Sequence, residues 1–115
     1  MGAIEICEKA KLEADFYVKT FHQHNYPTVN LYHDSRWCSR PDELPVFMRT
    51  VEKPWIAFKV MAAGAIPPES AFQHSFEHGA DFVLAGMFDF EIEHDVRVAK
   101  QVLAGLKNRA RPWRA

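Results

Sequence analysis

The sequence predicts an α/β fold made of three consecutive strand-helix units with parallel strands. Two observations favour this fold. Runs of apolar and β-branched residues alternate with segments whose apolar residues recur at helical spacing. Two of the runs, WIAFKVMAA and ADFVLAGM, are almost continuously hydrophobic, which is typical of parallel strands covered on both faces. We therefore expect a single partial α/β domain over 1–115.

The predicted units follow one another with short connections except in the first. The boundaries are 3–13 for a leading helix, about 15–52, 54–79 and 80–106 for the three units, and 107–115 for a basic tail. The first strand, DFYVKTFH, places Phe16, Val18 and Thr20 on one face and the residues between them on the other. The long polar connection after it is aromatic, which favours an ordered, functional loop.

The helix of each unit is predicted from an apolar stripe and from end signals. Proline residues mark the start of the first two helices, and Gly79 marks the end of the second. The expected inward residues are Leu44, Phe47, Met48 and Val51 in the first, Ala71, Phe72, Ser75 and Phe76 in the second, and Ile92, Val96, Ala99, Val102, Leu103 and Leu106 in the third.

Composition excludes several classes of function. No apolar stretch approaches the roughly 20 residues that cross a membrane. The net charge is -1, and scattered basic residues give no reason to expect nucleic acid as a partner. Two distant cysteines without a leader predict a reducing, cytoplasmic location. The tail with Lys107, Arg109, Arg111 and Arg114 is expected to be solvated.

Several stretches resemble the C-terminal part of a family of bacterial TIM-barrel proteins of uncharacterised activity. They are DFYVKTFH, WCSRPDE, KPWIAFKVMAAGAIPP and GADFVLAGMFDF, and they span nearly the whole chain. The resemblance implies that the three strands correspond to the last three of an eight-stranded barrel. The outer strands would then have exposed edges, which could support self-association or pairing with another chain.

A second resemblance is to class I aldolases of the deoxyribose-phosphate type, which are lyases. Asp15-Phe16-Tyr17-Val18-Lys19-Thr20 is similar to their Schiff-base strand, and Lys59 precedes a glycine turn as their second lysine does. The resemblance implies a nucleophilic lysine acting on a small carbonyl or sugar-like metabolite without a cofactor. If Lys19 and Lys59 both face a barrel interior, each would depress the pKa of the other. Alternatively, each lysine pairs with a carboxylate.

Histidines at the end of the first strand offer a second hypothesis. His22 and His24 lie two apart on an extended segment and could hold one divalent metal ion, with His33, Asp34, Asp89 or Glu91 as further ligands. In the lysine-based hypothesis, which needs no cofactor, His22 and Asp89 would transfer protons instead. His74 and His78 are expected to be exposed on a helix, and Cys38 is expected to be a half-buried loop residue rather than a nucleophile.

Two pairs of residues follow the second and third strands where many TIM barrels bind substrate. Gly64-Ala65 and Gly86-Met87 could offer backbone N–H groups to a phosphate, although Asp89 and Glu91 would repel it. The glycines could instead serve only the tight turns, and Asp89 could be a helix cap. A non-catalytic interaction remnant is the third functional hypothesis.

Overall fold

The computed structural model of the chain describes residues 1–25 and 38–115. Within these residues, three parallel strands form one sheet in the order β1-β2-β3, with helices between them, which confirms the predicted α/β class. The elements in chain order are α1 (Gly2–Lys9), β1 (Tyr17–Thr20), α2 (Glu43–Met48), β2 (Trp55–Phe58), α3 (Pro68–Glu77), β3 (Phe82–Leu84), a short 3-10 helix (Asp89–Glu91) and α4 (Ile92–Gly105).

The strands are shorter than the sequence predicts. In register, Lys19 of β1, Ala57 of β2 and Val83 of β3 lie side by side. β2 ends at Phe58 because the next residue, Lys59, has a left-handed φ of 55°, which a β-strand does not accommodate. α1 likewise ends at Lys9 rather than at 13, and the chain turns through a φ of 53° at Lys11.

Helices pack on one face of the sheet. The ring of Phe21 lies 5.2 Å from Trp55 and 4.7 Å from His74 of α3 between centroids. On the same face, the Tyr17 hydroxyl donates a hydrogen bond to Glu8 of α1 at 2.7 Å. The predicted alternation of β1 is thus confirmed, but the expectation that the strands are covered on both faces is wrong. The side chains at alternate positions are about half exposed, namely Phe16, Val18, Phe82 and Leu84.

The inward faces of α2 and α3 agree with prediction, and that of α4 agrees in part. Every residue predicted to face inward on α3 is buried, and so are most of those on α2. On α4, Asp95 and Val102 are buried, while Ile92, Val96 and Leu103 are largely exposed. Ala99, Val102 and Leu106 meet the core as predicted, together with Val98, which was not predicted to face inward. None of the helices in the described ranges is long and apolar enough to cross a bilayer.

The basic tail is buried in part rather than solvated, which corrects the prediction. The guanidinium of Arg111 is fully buried and donates to Asp81 Oδ2 at 2.7 Å. It also donates to the carbonyl oxygens of Gly79, Val51 and Lys53 at 2.9, 3.0 and 2.7 Å. Because these carbonyls precede β2 and β3, one side chain ties the tail to the amino ends of both strands.

The carboxylate of Asp81 is held by further donors. The backbone N–H groups of Trp55 and Arg114 donate to it at 2.9 and 2.7 Å. Gly79 makes the approach of Arg111 possible, since its φ is 107° and a Cβ there would come within 3.1 Å of Arg111 Cδ. The sequence could not indicate this arrangement, because its partners are separated by 30 residues along the chain.

Removing Arg111 should therefore destabilise the fold strongly. Arg111→Met leaves the Asp81 carboxylate buried without its main cation, which typically costs about 3 to 5 kcal/mol. Urea unfolding followed by circular dichroism should show a fall of that size in the free energy of unfolding.

The matched control is Arg97→Met, which removes an exposed pair with Glu93. Exposed pairs contribute about 0 to 1 kcal/mol, so the loss should stay within that range. Equal effects of the two substitutions would contradict the role assigned to Arg111.

Candidate functional site

A half-open cavity lies at the carboxyl edge of the sheet. Its volume is about 830 Å³, and most of its lining is apolar. The loop after β2, the loop after β3 and the beginning of α4 form its walls. The ionisable residues that line it are His22, Lys59, Glu91 and Asp95. Carboxyl edges of parallel strands are where ligands bind in α/β folds, so this cavity is the candidate site.

Lys59 stands where β2 gives way to the loop that lines the cavity. Its Nζ lies 5.7 Å from the centroid of the Phe58 ring. Left-handed φ values recur along the loop, at Lys59 (55°), Ala62 (46°), Ala63 (56°) and Gly64 (88°). Such values are costly for residues other than glycine. The lysine therefore belongs to an irregular loop beside the cavity and not to a strand interior.

His22 follows β1 and is almost fully buried. Its Nδ1 lies 3.0 Å from the carbonyl oxygen of Gln23. A carbonyl can only accept, so Nδ1 carries hydrogen, and in the neutral ring Nε2 is then the basic nitrogen. The backbone N–H of His22 also points at the buried thiol of Cys38. Burial raises the pKa of Cys38 despite that hydrogen bond, which opposes a nucleophilic role for this thiol.

Two carboxylates also line the cavity in the part of the chain that the structure describes. Glu91 Oε2 accepts a hydrogen bond from the backbone N–H of Phe88 at 3.1 Å. Asp95 on α4 is only 5% exposed, and its Oδ1 lies 3.1 Å from His94 Nδ1. Asp95 was not a sequence-based candidate. The available signal was its helical spacing, because it shares a face with Val98, Ala99 and Val102.

Lys19 lies apart from this cavity. It is on the helix-covered face with Tyr17 and Phe21, so the condition that this face is a barrel interior does not hold. Its Nζ donates to the carbonyl of Thr20 at 3.1 Å. Burial lowers the pKa of Lys19, and the neighbouring Cys38 opposes that shift. Among the described residues, Lys59 is not one of the groups that shift this pKa, so the proposed mutual depression has no support here.

The remaining predicted residues divide between the cavity and its surroundings. Gly64, Gly86 and Met87 line it. Asp89 and Ala65 are outside the lining, and Asp89 Oδ1 accepts from the backbone N–H of Phe90 at 2.9 Å, as a helix-start residue does.

The histidines of the metal hypothesis are only partly brought together. The rings of His22 and His24 have centroids 5.3 Å apart, while His24 faces a neighbouring depression. No group of three metal-ligating side chains is found in residues 1–25 and 38–115. His33 and Asp34 lie outside the described residues.

His74 and His78 are partly buried, which corrects the expectation of exposure. Their rings lie 4.1 Å apart, and that of His74 stacks on Phe21. Gln23 Nε2 donates to His74 Nδ1 at 2.8 Å, so α3 holds the segment that carries His22. Burial, with smaller contributions from the charges of His78 and His22, lowers the pKa of His74 to about 4.

Comparison of the chain with known protein families, curated proteins and solved structures finds no match. The geometry of the cavity therefore carries the functional argument. The groups in the cavity that support this argument are the ammonium of Lys59, the imidazole of His22 and the carboxylates of Glu91 and Asp95.

Protonation of His74 should weaken the fold as the pH falls. The unfolded ring takes up a proton near pH 6.5 and the folded ring only near pH 4, so stability falls as the pH is lowered between these values. From pH 7 to pH 5 the loss should be about 1 to 2 kcal/mol after allowing for solvent screening. Urea unfolding at both pH values measures it.

The comparison variant is His74→Phe, which keeps a ring against Phe21 and cannot titrate. It should lose less stability than the wild type over that pH interval. His94→Gln, at a side chain that is 67% exposed, should behave like the wild type. An unchanged pH dependence in His74→Phe would show that another group is responsible.

The backbone of the cavity loop gives a third expectation. Gly64→Ala should lower the free energy of unfolding by about 1 kcal/mol, because a Cβ is disfavoured at its φ of 88° even though no atom lies within 4 Å. Gly86→Ala has the same open surroundings without that φ, and its effect should stay within about 0.5 kcal/mol. Thermal melts of the two variants measure this difference in stability. Equal melting temperatures would show that the loop relaxes around the added Cβ and would contradict the expectation.

Proposed function

We propose that the protein is an enzyme that acts on a small carbonyl or sugar-like compound in the cavity at the carboxyl edge of the sheet. The observation that carries the proposal is the convergence of Lys59, His22 and two carboxylates on one largely apolar cavity. An amine, an imidazole and a carboxylate are the groups that carbonyl chemistry requires for attack and for proton transfer.

Lys59 has two roles open to it in this chemistry. As a neutral amine, it adds to the carbonyl carbon to give a carbinolamine. The hydroxyl of this carbinolamine takes up a proton and leaves as water, which gives a protonated Schiff base. As an ammonium, it stabilises the negative charge that develops on the carbonyl oxygen when a proton is removed from the neighbouring carbon. His22 suits the proton transfers in either case, since its Nδ1 is held by the Gln23 carbonyl and Nε2 is basic.

A barrel-like context supports the same location. We propose that the sheet corresponds to consecutive strands of a TIM barrel. The interior would be the face that no helix of the described residues covers. The helices on one face, the apolar side chains of Val18, Phe82 and Leu84 on the other, and the cavity at the carboxyl edge agree with that arrangement. Lys19 would then lie outside the barrel interior, which leaves Lys59 as the lysine of the site.

Borohydride trapping tests the leading role of Lys59. The protein is incubated with glycolaldehyde and sodium borohydride, and modified lysines are identified by peptide mass spectrometry. Lys59 should be labelled about tenfold faster than the exposed Lys9, because the cavity positions both reactants. Lys59→Arg should abolish this fast labelling, and Lys19→Arg should retain it.

Two outcomes would redirect the proposal. Uniform labelling of surface lysines at one rate would remove the Schiff-base role and leave binding alone. Stoichiometric zinc or manganese in the purified protein, lost in His24→Ala, would favour the metal-dependent alternative that uses His22 and His24.

A further inference from the structure

The charges on the described lining of the cavity are unequal. This lining contains two carboxylates, Glu91 and Asp95, one ammonium, that of Lys59, and the imidazole of His22. A cavity of this sign attracts cations and disfavours phosphates and carboxylates. The glycine turns at Gly64 and Gly86 therefore do not make this a phosphate site.

Asp95 is the unusual member of this set. It is only 5% exposed, so its carboxylate is largely withdrawn from water. Oδ1 lies 3.1 Å from Nδ1 of His94, a side chain that is itself 67% exposed. In the described part of the chain, no donor contacts Oδ2. A nearly buried carboxylate that lines a cavity and retains an unoccupied oxygen is suited to receive a donor from a ligand.

Glu91 has less freedom. Its Oε2 accepts from the backbone N–H of Phe88, which fixes the carboxylate at the rim between the short 3-10 helix and α4. Its charge adds to that of Asp95 without a rearrangement of the side chain. The apolar walls formed by residues such as Met61, Ile66 and Met87 reduce the screening of both charges.

We propose that the cavity binds a small molecule that carries a cationic amino group, and that Asp95 is the residue that receives this group. The inference rests on the proposed function for its choice of cavity. It narrows the proposed substrate to carbonyl or hydroxyl compounds that also carry an amino group. Asp95 is a binding residue in this arrangement, and Lys59 acts on the far end of the same molecule.

Three matched fragments test the ligand class without any covalent step. Ethanolamine, ethylene glycol and glycolate have the same length and differ chiefly in charge. Each is titrated into ¹⁵N-labelled protein at pH 7, and the backbone amide shifts of Ala85, Gly86 and Asp95 are followed. Ethanolamine should produce half-maximal shifts at a concentration at least tenfold lower than ethylene glycol does, and glycolate should produce none.

Asp95→Asn should remove the preference for ethanolamine, because the isosteric amide keeps the shape and loses the charge. Glu93→Gln, at an exposed position of the same helix, should keep it. If Asp95→Asn does not fold, the wild type still decides the matter. The ethanolamine midpoint should rise between 20 and 500 mM sodium chloride while that of ethylene glycol stays constant.

Equal midpoints for ethanolamine and ethylene glycol, or a preference that survives in Asp95→Asn, would overturn the inference. The outcome is separable from that of borohydride trapping. Ethanolamine binding without fast Lys59 labelling would keep the ligand class and reject the Schiff-base role. Fast Lys59 labelling without a preference for ethanolamine would keep the Schiff-base role and reject the ligand class.

Discussion

The buried ion pair of Asp81 and Arg111 is the interaction on which the rest of the structure depends. Both side chains are withdrawn from water, so each must be satisfied by the protein. The terminal nitrogens of Arg111 donate to carbonyl groups that precede β2 and β3, while its buried Nε has no partner among the described residues. Asp81 accepts from the backbone N–H groups of Trp55 and Arg114. The pair therefore fixes the amino ends of two strands and the C-terminal segment with respect to one another.

The two edges of the sheet consequently differ in character. At the amino edge, the buried Asp81 carboxylate pairs with the guanidinium groups of Arg111 and Arg109, and Arg109 adds hydrogen bonds to the carbonyls of Phe76 and Ala80. At the carboxyl edge, the chain runs through left-handed residues around a cavity with unequal charges. The ion pair stabilises the amino ends of β2 and β3, and this stabilisation offsets part of the cost of the left-handed backbone in the loop after β2.

Local patterns predicted the parts of the fold that local physics determines. The inward stripe of α3, from Ala71 to Phe76, follows from apolar periodicity, and the alternation of Tyr17 and Val18 from the pleat of a strand. The end of β2 at Phe58 could not be predicted, because nothing in the residue type of Lys59 indicates a positive φ. The role of Arg111 was equally hidden, since its contact with Val51 spans 60 residues and composition suggested only a charged tail.

In the candidate site, too, local patterns predicted some features, and others depend on long-range packing. Its position after the strands followed from parallel connectivity, and Lys59, His22, Gly64 and Gly86 do line the cavity. The split of Lys19 from Lys59 depended on which face the helices cover, and a period of two cannot decide that. Asp95 lies on the stripe of α4 that also contains Ala99 and Val102, and it was missed because a carboxylate does not belong to an apolar pattern.

The placement of Arg111 also sets an order of events during synthesis. Asp81 leaves the ribosome 30 residues before the guanidinium that neutralises it, and all of α4 is made in between. Until that moment, docking β3 beside β2 would bury the Asp81 carboxylate with the N–H of Trp55 but without its cation. The pairing of β3 with β2 is thus less favourable before Arg111 is available, and all of α4 is made by then. The static ion pair therefore has a counterpart in time, because the last segment to be synthesised supplies the group that the sheet needs.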